Sequence, residues 1–296
     1  MGYGARDMTL LTLALVLASA VVHATWNLWA KQIGSTARQA ALMWMLTGIS
    51  SVCYAPFALW LYAHGTWRPS PLAIGVTAAS GAIHIVYFLL LLRGYRVGDL
   101  SLVYPVARGT GPMLAFGGAL LLFSEKLSPF ALAGTLLIAG GVLVLTTGAP
   151  VADRTRIAPG LRYGLLTGVL IATYTLWDGW AVKVAAVPPL LFYWGGELTR
   201  VALFTPAAMG QRDEIARLWR EQRARVLGIA LLSPLSYILV LLAMRTGAVS
   251  RIAPAREVGI LIGAYLGGRV LGEGQRRRRL VAAAAFAAGV IALAVG

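Results

Sequence analysis

Ten long apolar runs, each close to the length that crosses a lipid bilayer, dominate this 296-residue chain. A helix needs about 20 mostly apolar residues to span the hydrocarbon layer. That window gives Leu10–Trp29, Gln39–Tyr62, Leu72–Leu92, Ser101–Phe123, Pro129–Thr147, Leu161–Val182, Pro188–Met209, Val226–Ala243, Ile252–Leu271 and Leu280–Val295. The runs are continuous and lack the alternation of barrel strands, so helices are expected. Composition agrees, with 58% hydrophobic and only 12% charged residues, against about 25% charged in soluble domains. A soluble fold of this size could not cover so much apolar surface. The expected class is an all-α integral membrane protein with ten transmembrane helices, and soluble enzymes, disordered tails and coiled coils are excluded.

A formal charge of +15 would suggest nucleic acid in a soluble chain. Here the arginines stand between apolar runs, without a basic stripe interleaved with aromatics, and serve as topology signals. Connections after odd-numbered spans hold 17 lysines and arginines, against 6 on the other face. Ten spans with that bias put both termini outside the cytoplasm. The N-terminal run lacks a signal-cleavage site and reads as a retained span. The loops are short except Gly210–Arg225, whose arginines and acids suit a surface helix and which is expected to be a solvated connector, not a functional element. Cys53, the only cysteine, allows no disulfide framework and no thiolate metal site, and reads as a small buried apolar residue.

The chain repeats itself. Ala107-Arg108 precedes Glu125 with the spacing by which Ala255-Arg256 precedes Glu273, an offset of 148 that also superposes Gly111 on Gly259. Trp26-Asn27 matches Trp177-Asp178 at an offset of 151. Two five-span halves, 1–148 and 149–296, are therefore expected. Five is odd, so the second half enters the membrane from the opposite side. Inverted repeats of this kind mark secondary transporters, with the substrate site near mid-bilayer between the halves. Gly259, Gly263 and Gly267 form a small-residue stripe, matched by Gly111, Ala115 and Ala119, where helices can approach closely. Pro105 and Pro254 are expected to loosen the starts of their spans.

The run HATWNLWAK in span one, SEKLSPFALAGTLLIAGGVLVL at the end of the first half, and Gly272-Glu273 before the last span resemble the EamA type of the drug/metabolite transporter superfamily. The resemblance implies a helical basket around a central cavity that its halves open alternately to either side. It implies export or exchange of a small molecule in a bacterial inner membrane, with amino acids or related compounds as the leading class. Many such carriers are drawn with cytoplasmic termini, contrary to the arginine count.

Charged side chains at mid-bilayer cost about 2.5–3.5 kcal/mol each on insertion scales, so they face a cavity or pair with one another. Six do this here: Arg108, Asp178, Glu197, Arg200, Arg256 and Glu257. Arg108 and Arg256, at matching positions of the repeat, suit a guanidinium fork gripping a carboxylate or phosphonate. They equally suit interhelical ion pairs, for instance Arg256 with Glu197. Glu197 is either a proton carrier or the partner of Arg200 one turn on. His23, Trp26 and Asn27 share a helical face, with Tyr174, Trp177 and Asp178 at the matching positions. His84, Tyr87, Tyr104, Ser233, Ser236 and Tyr237 add hydrogen-bonding tips suited to a small amphipathic ligand. Rings near span ends also suit an interfacial belt, and His84 also suits a simple bond to a neighbouring carbonyl.

No catalytic constellation, cofactor motif or metal-ligand spacing is present. The expected partners are a small-molecule substrate and the bilayer. The alternative function is a membrane-embedded ligand-binding scaffold or sensor that does not transport.

Overall fold

The computed structural model describes residues 9–33, 39–98, 100–146, 155, 157–262 and 276–295. Ten helices are delimited among them: α1 (Leu10–Ile33), α2 (Gln39–His64), α3 (Pro71–Val97), α4 (Leu100–Leu122), α5 (Pro129–Thr146), α6 (Ile157–Lys183), α7 (Pro189–Met209), α8 (Arg212–Thr246), α9 (Val249–Ala255) and α10 (Arg276–Val295). No strand occurs among the described residues. By length and composition, α1, α2, α3, α6 and α8 could each cross a membrane, and α5 and α10 are shorter apolar helices.

The outer surface is unlike that of a water-soluble protein. Large apolar side chains such as Val52, Phe57, Trp60, Leu121 and Ile291 are exposed, whereas Ser19, Ser50, Ser80, Thr175 and Asp178 are buried. Water would penalise so much outward apolar surface, so the fold is compatible with a multi-pass membrane protein.

The helices pack in a reciprocal pattern: α1 lies on α8 and α6 on α3, α2 on α7, α3 on α7 and α2 on α8, α4 on α5 and α9 on α10. Small residues make the closest approach possible. A Cβ on Gly111 would sit 2.6 Å from Ile171, and one on Gly259 would sit 3.3 Å from the Ala20 backbone. A second stripe, Gly160, Gly164 and Gly168 on α6, takes the side chains of α4 in the same way. Of the small-residue stripe read from the sequence, Gly263 and Gly267 lie outside the described residues, as do Gly272 and Glu273.

Two expected elements differ. The connector Gly210–Arg225 is not a separate loop; most of it is the first part of α8. Asp213 and Glu214 stand in its first turn, where the helix dipole favours negative charge. Arg217 bridges Glu214 and Glu221 along one side. Ile215 and the buried Leu218 pack on a cluster with Ile33, Ala41 and Met45, so the segment is an amphipathic helix continuous with the span that follows it. The ninth span is also broken. After Pro254 the chain makes a turn at residues 256 and 257 before helix resumes at 258–262, and residues 263–271 lie outside the described residues. Bonds from Glu257 N–H to the Pro254 carbonyl (3.0 Å) and from Ile260 N–H to the Glu257 carbonyl (2.9 Å) tighten this stretch, as in a short 3₁₀ segment. By contrast α4 carries Pro105 and Pro112 without interruption.

Candidate functional site

A cavity of about 460 Å³ lies among α1–α4, α6–α8 and residues 256, 257 and 260. It runs from Ser19 and Val240 towards Ala30, Met43, Leu91 and Tyr95. These last residues belong to the end of the bundle where α1 and α3 finish and α2 and α4 begin. At the opposite end Val16, Phe123, Val182, Val187, Phe192, Met244, Val249 and Ile252 fill the interior as a buried apolar cluster. One end is therefore lined and the other plugged.

A buried carboxylate reinforces the plug. Glu125 follows Ser124, whose φ of 50° is left-handed, and turns back into the bundle. Its Oε1 accepts the Val249 N–H at 2.8 Å and its Oε2 the Ser250 N–H at 2.9 Å. Lys183 Nζ lies 3.3 Å from Oε1 and donates to the Gly247 carbonyl at 2.9 Å. The carboxylate thus joins the α4–α5 loop, the end of α6 and the start of α9.

Most of the charged residues picked from the sequence meet in the cavity, one pair at the spacing read from the sequence and the others in pairings the sequence did not supply. Arg200 Nη2 contacts Glu197 Oε1 at 2.6 Å. Arg108 Nη1 lies 3.4 Å from both oxygens of Glu257, and Arg256 Nε lies 3.7 Å from Glu257 Oε1. The pairing of Arg256 with Glu197 is not formed. The turn at residues 256 and 257 lets two consecutive side chains serve one site, where a regular helix would splay them by about 100°. Each guanidinium also covers a ring: Arg108 that of Tyr104, Arg200 that of Tyr193 and Arg256 that of Tyr174. Arg256 Nη1 is buried with no hydrogen-bond partner among the described residues.

The aromatic wall is continuous. The His84 ring lies 4.4 Å from that of Tyr174 and 5.5 Å from that of Tyr237, and Tyr87 meets Tyr174 edge-on at 5.4 Å. His23 and Trp26 stand edge to face at 4.8 Å. Trp26 Nε1 reaches Ser236 Oγ at 3.4 Å, and Asn27 Nδ2 donates to its own helix at the His23 carbonyl. His23, Trp26, Asn27, Ser233 and Ser236 all line the cavity.

Two residues read as cavity groups do not line it. Trp177 turns away and donates from Nε1 to the Val76 carbonyl at 2.9 Å, tying α6 to α3. Asp178 is wholly buried behind His84 and Tyr237, accepting from Ser80 Oγ at 2.7 Å and from the Tyr237 hydroxyl at 2.5 Å. Both stand one turn on from the wall residue Tyr174, so helical spacing puts them on its face; their depth depends on how α6 packs against α3, which repeat position alone cannot foresee. Sequence reasoning also missed the contribution of α2, whose Met43, Leu46, Thr47 and Ser50 line the cavity. None is charged or aromatic, so nothing set them apart from outward-facing neighbours. Cys53 is half-buried and lines a separate apolar cleft between α2, α7 and α8.

No family model matches the chain, and no curated protein matches it. Solved structures do share its fold. One, described only as the crystal structure of a protein, superposes with a TM-score of 0.76 over 96% of this chain and 97% of its own, at 16% identity. A likeness at that identity establishes the architecture and leaves the activity to the site.

Proposed function

We propose that the chain is a ten-span secondary transporter of the drug/metabolite type, built from two inverted five-helix halves in a bacterial inner membrane. It moves a small polar or amphipathic metabolite by alternating access, with an amino acid or related compound as the leading class. The observation that carries this reading is a cavity lined by charged and aromatic groups and closed at one end, within a fold several of whose helix pairings recur when its first five helices are exchanged with its last five. α1 on α8 becomes α6 on α3, and α2 on α7 maps to itself. The contact of Gly111 with Ile171 becomes that of Gly259 with Ala20, under the same offsets of 148 and 151 that align the sequence. The α3 cap at Gly98 (φ −119°, ψ 170°) recurs at Gly247 (φ −111°, ψ 174°) after α8.

Chemistry supports a ligand with an anionic group. Arg256 offers an unused buried donor beside an aromatic wall, and a guanidinium binds a carboxylate or phosphonate through paired N–H groups. The test is counterflow in proteoliposomes with radiolabelled amino acids, phosphonates and cationic drugs. A carrier exchanges labelled for unlabelled solute; a scaffold or sensor binds without exchange, and that result removes the proposal. Arg256→Gln should weaken uptake of the active solute about 10- to 100-fold, the worth of one charge-assisted bond, while folded yield stays near wild type. An equal fall in both would make Arg256 a packing residue.

A further inference from the structure

Among the described residues, three carboxylates occupy the polar interior, and two are held by guanidinium groups: Glu197 by Arg200, and Glu257 by Arg108 and Arg256. Asp178 is different. No arginine or lysine among the described residues lies within salt-bridge distance of it, and its donors are the hydroxyls of Ser80 and Tyr237. The one basic group near it is His84, whose Nε2 stands 3.8 Å from Asp178 Oδ2.

The other ring nitrogen sets the state of this pair. His84 Nδ1 lies 2.9 Å from the Ser80 carbonyl. A carbonyl only accepts, so Nδ1 carries a hydrogen and Nε2 of the neutral ring is a lone pair. A lone pair then faces a carboxylate oxygen inside a buried site, an arrangement that one proton relieves whichever of the two holds it. The hydroxyls can follow the change, since Ser and Tyr both donate and accept and can turn round when the acid is protonated. A guanidinium has only donors and cannot. Glu197 holds such a partner on Oε1; Asp178 does not. His84 also lines the cavity, so it stands between Asp178 and the solute space.

We propose that Asp178 and His84 hold one exchangeable proton at the back wall of the cavity, making this pair, and not Glu197, the proton-binding site. As a coupling site it rests on the carrier reading above. The groups around it are Ser80 and His84 on α3, Tyr174 on α6, Tyr237 on α8, Arg200 with Glu197 on α7, and Arg256 beyond α9. Both arginines act on Asp178 through space from beyond salt-bridge range. With the proton absent, three guanidinium groups oppose three carboxylates. With it bound, the interior has one positive charge in excess beside the free Arg256 Nη1, which an anionic group on the solute balances. Proton and anionic solute therefore enter the cavity together.

The test needs neither solute nor flux: an infrared titration of the full chain in lipid nanodiscs, from about pH 8 to about pH 5, with isotope-labelled aspartate. The expected result is one aspartic-acid carbonyl band that grows as pH falls, is lost in Asp178→Asn, and has no counterpart when glutamate carries the label. Tyr237→Phe and His84→Gln, milder changes, should shift the frequency and the midpoint of that band, so the assignment survives if Asp178→Asn does not fold. No titrating aspartic-acid band, a band indifferent to all three substitutions, or a titrating glutamic-acid band lost in Glu197→Gln overturns the proposal. A band without counterflow counts against the carrier reading alone; counterflow without a band counts against the proton site alone.

Discussion

The junctions at the two ends of the bundle begin alike and finish differently. At one end α3 stops at Gly98 and α4 begins beside the start of α6; at the other α8 stops at Gly247 and α9 begins beside the start of α1. Cap geometry is nearly the same, yet only the second junction sits in the plugged end. There Glu125 joins the first N–H groups of α9 to Lys183. In the sequence, the positions matching Glu125 and Lys183 are Glu273, which lies outside the described residues, and the uncharged Gln32. The plugged end thus combines a buried apolar cluster with a few polar contacts, and removing the polar ones tests how much of the closure they carry.

The largest effect should come from Glu125→Ala, which strands a largely buried lysine and two N–H groups. Removing one member of such a pair costs about 3–5 kcal/mol, read as a fall in the melting temperature in detergent. In a Cys53→Ala background, Met43→Cys in the cavity should react with a polar thiol reagent and Val187→Cys in the plug should not. Adding Glu125→Ala should expose Val187→Cys; continued protection would mean that apolar packing alone holds that end shut. Gly98→Ala comes next, because its Cβ would lie 2.5 Å from the Gly160 Cα and backbone cannot easily give. A loss of up to about 3 kcal/mol is expected. Lys183→Met should cost about 1.5–3 kcal/mol, since Glu125 keeps both backbone donors. Gly247→Ala should be milder, at about 1 kcal/mol, because its Cβ meets the Thr12 side chain at 2.8 Å. A larger loss at Gly247 than at Gly98 would reverse the comparison. Arg217→Ala, on the exposed start of α8, should leave the melting temperature unchanged, because screened surface pairs contribute little.

Much of this arrangement could be read from residue order. Helices and their approximate limits follow from apolar run length, and the charges in the cavity stand out because lipid tolerates so few. Partner choice could not be read, since Arg256 meets Glu257 only through the turn after Pro254, a break that Pro105 does not cause in α4. Asp178 was conspicuous as a charge, but its place behind the wall depends on helix rotation. Glu125 was noticed only as a repeat marker, because its two backbone donors lie 124 and 125 residues further along the chain.

Asn27 occupies in the first half the position that Asp178 occupies in the second, and an amide cannot take up a proton as a carboxylate does. Under the proposed duplication this position is chargeable in one copy only, off any axis relating the halves. The proposed carrier should then behave as a rectifier, with inward and outward turnover responding unequally when the imposed voltage is reversed. Equal responses to either polarity would mean that this lopsidedness has no bearing on the cycle.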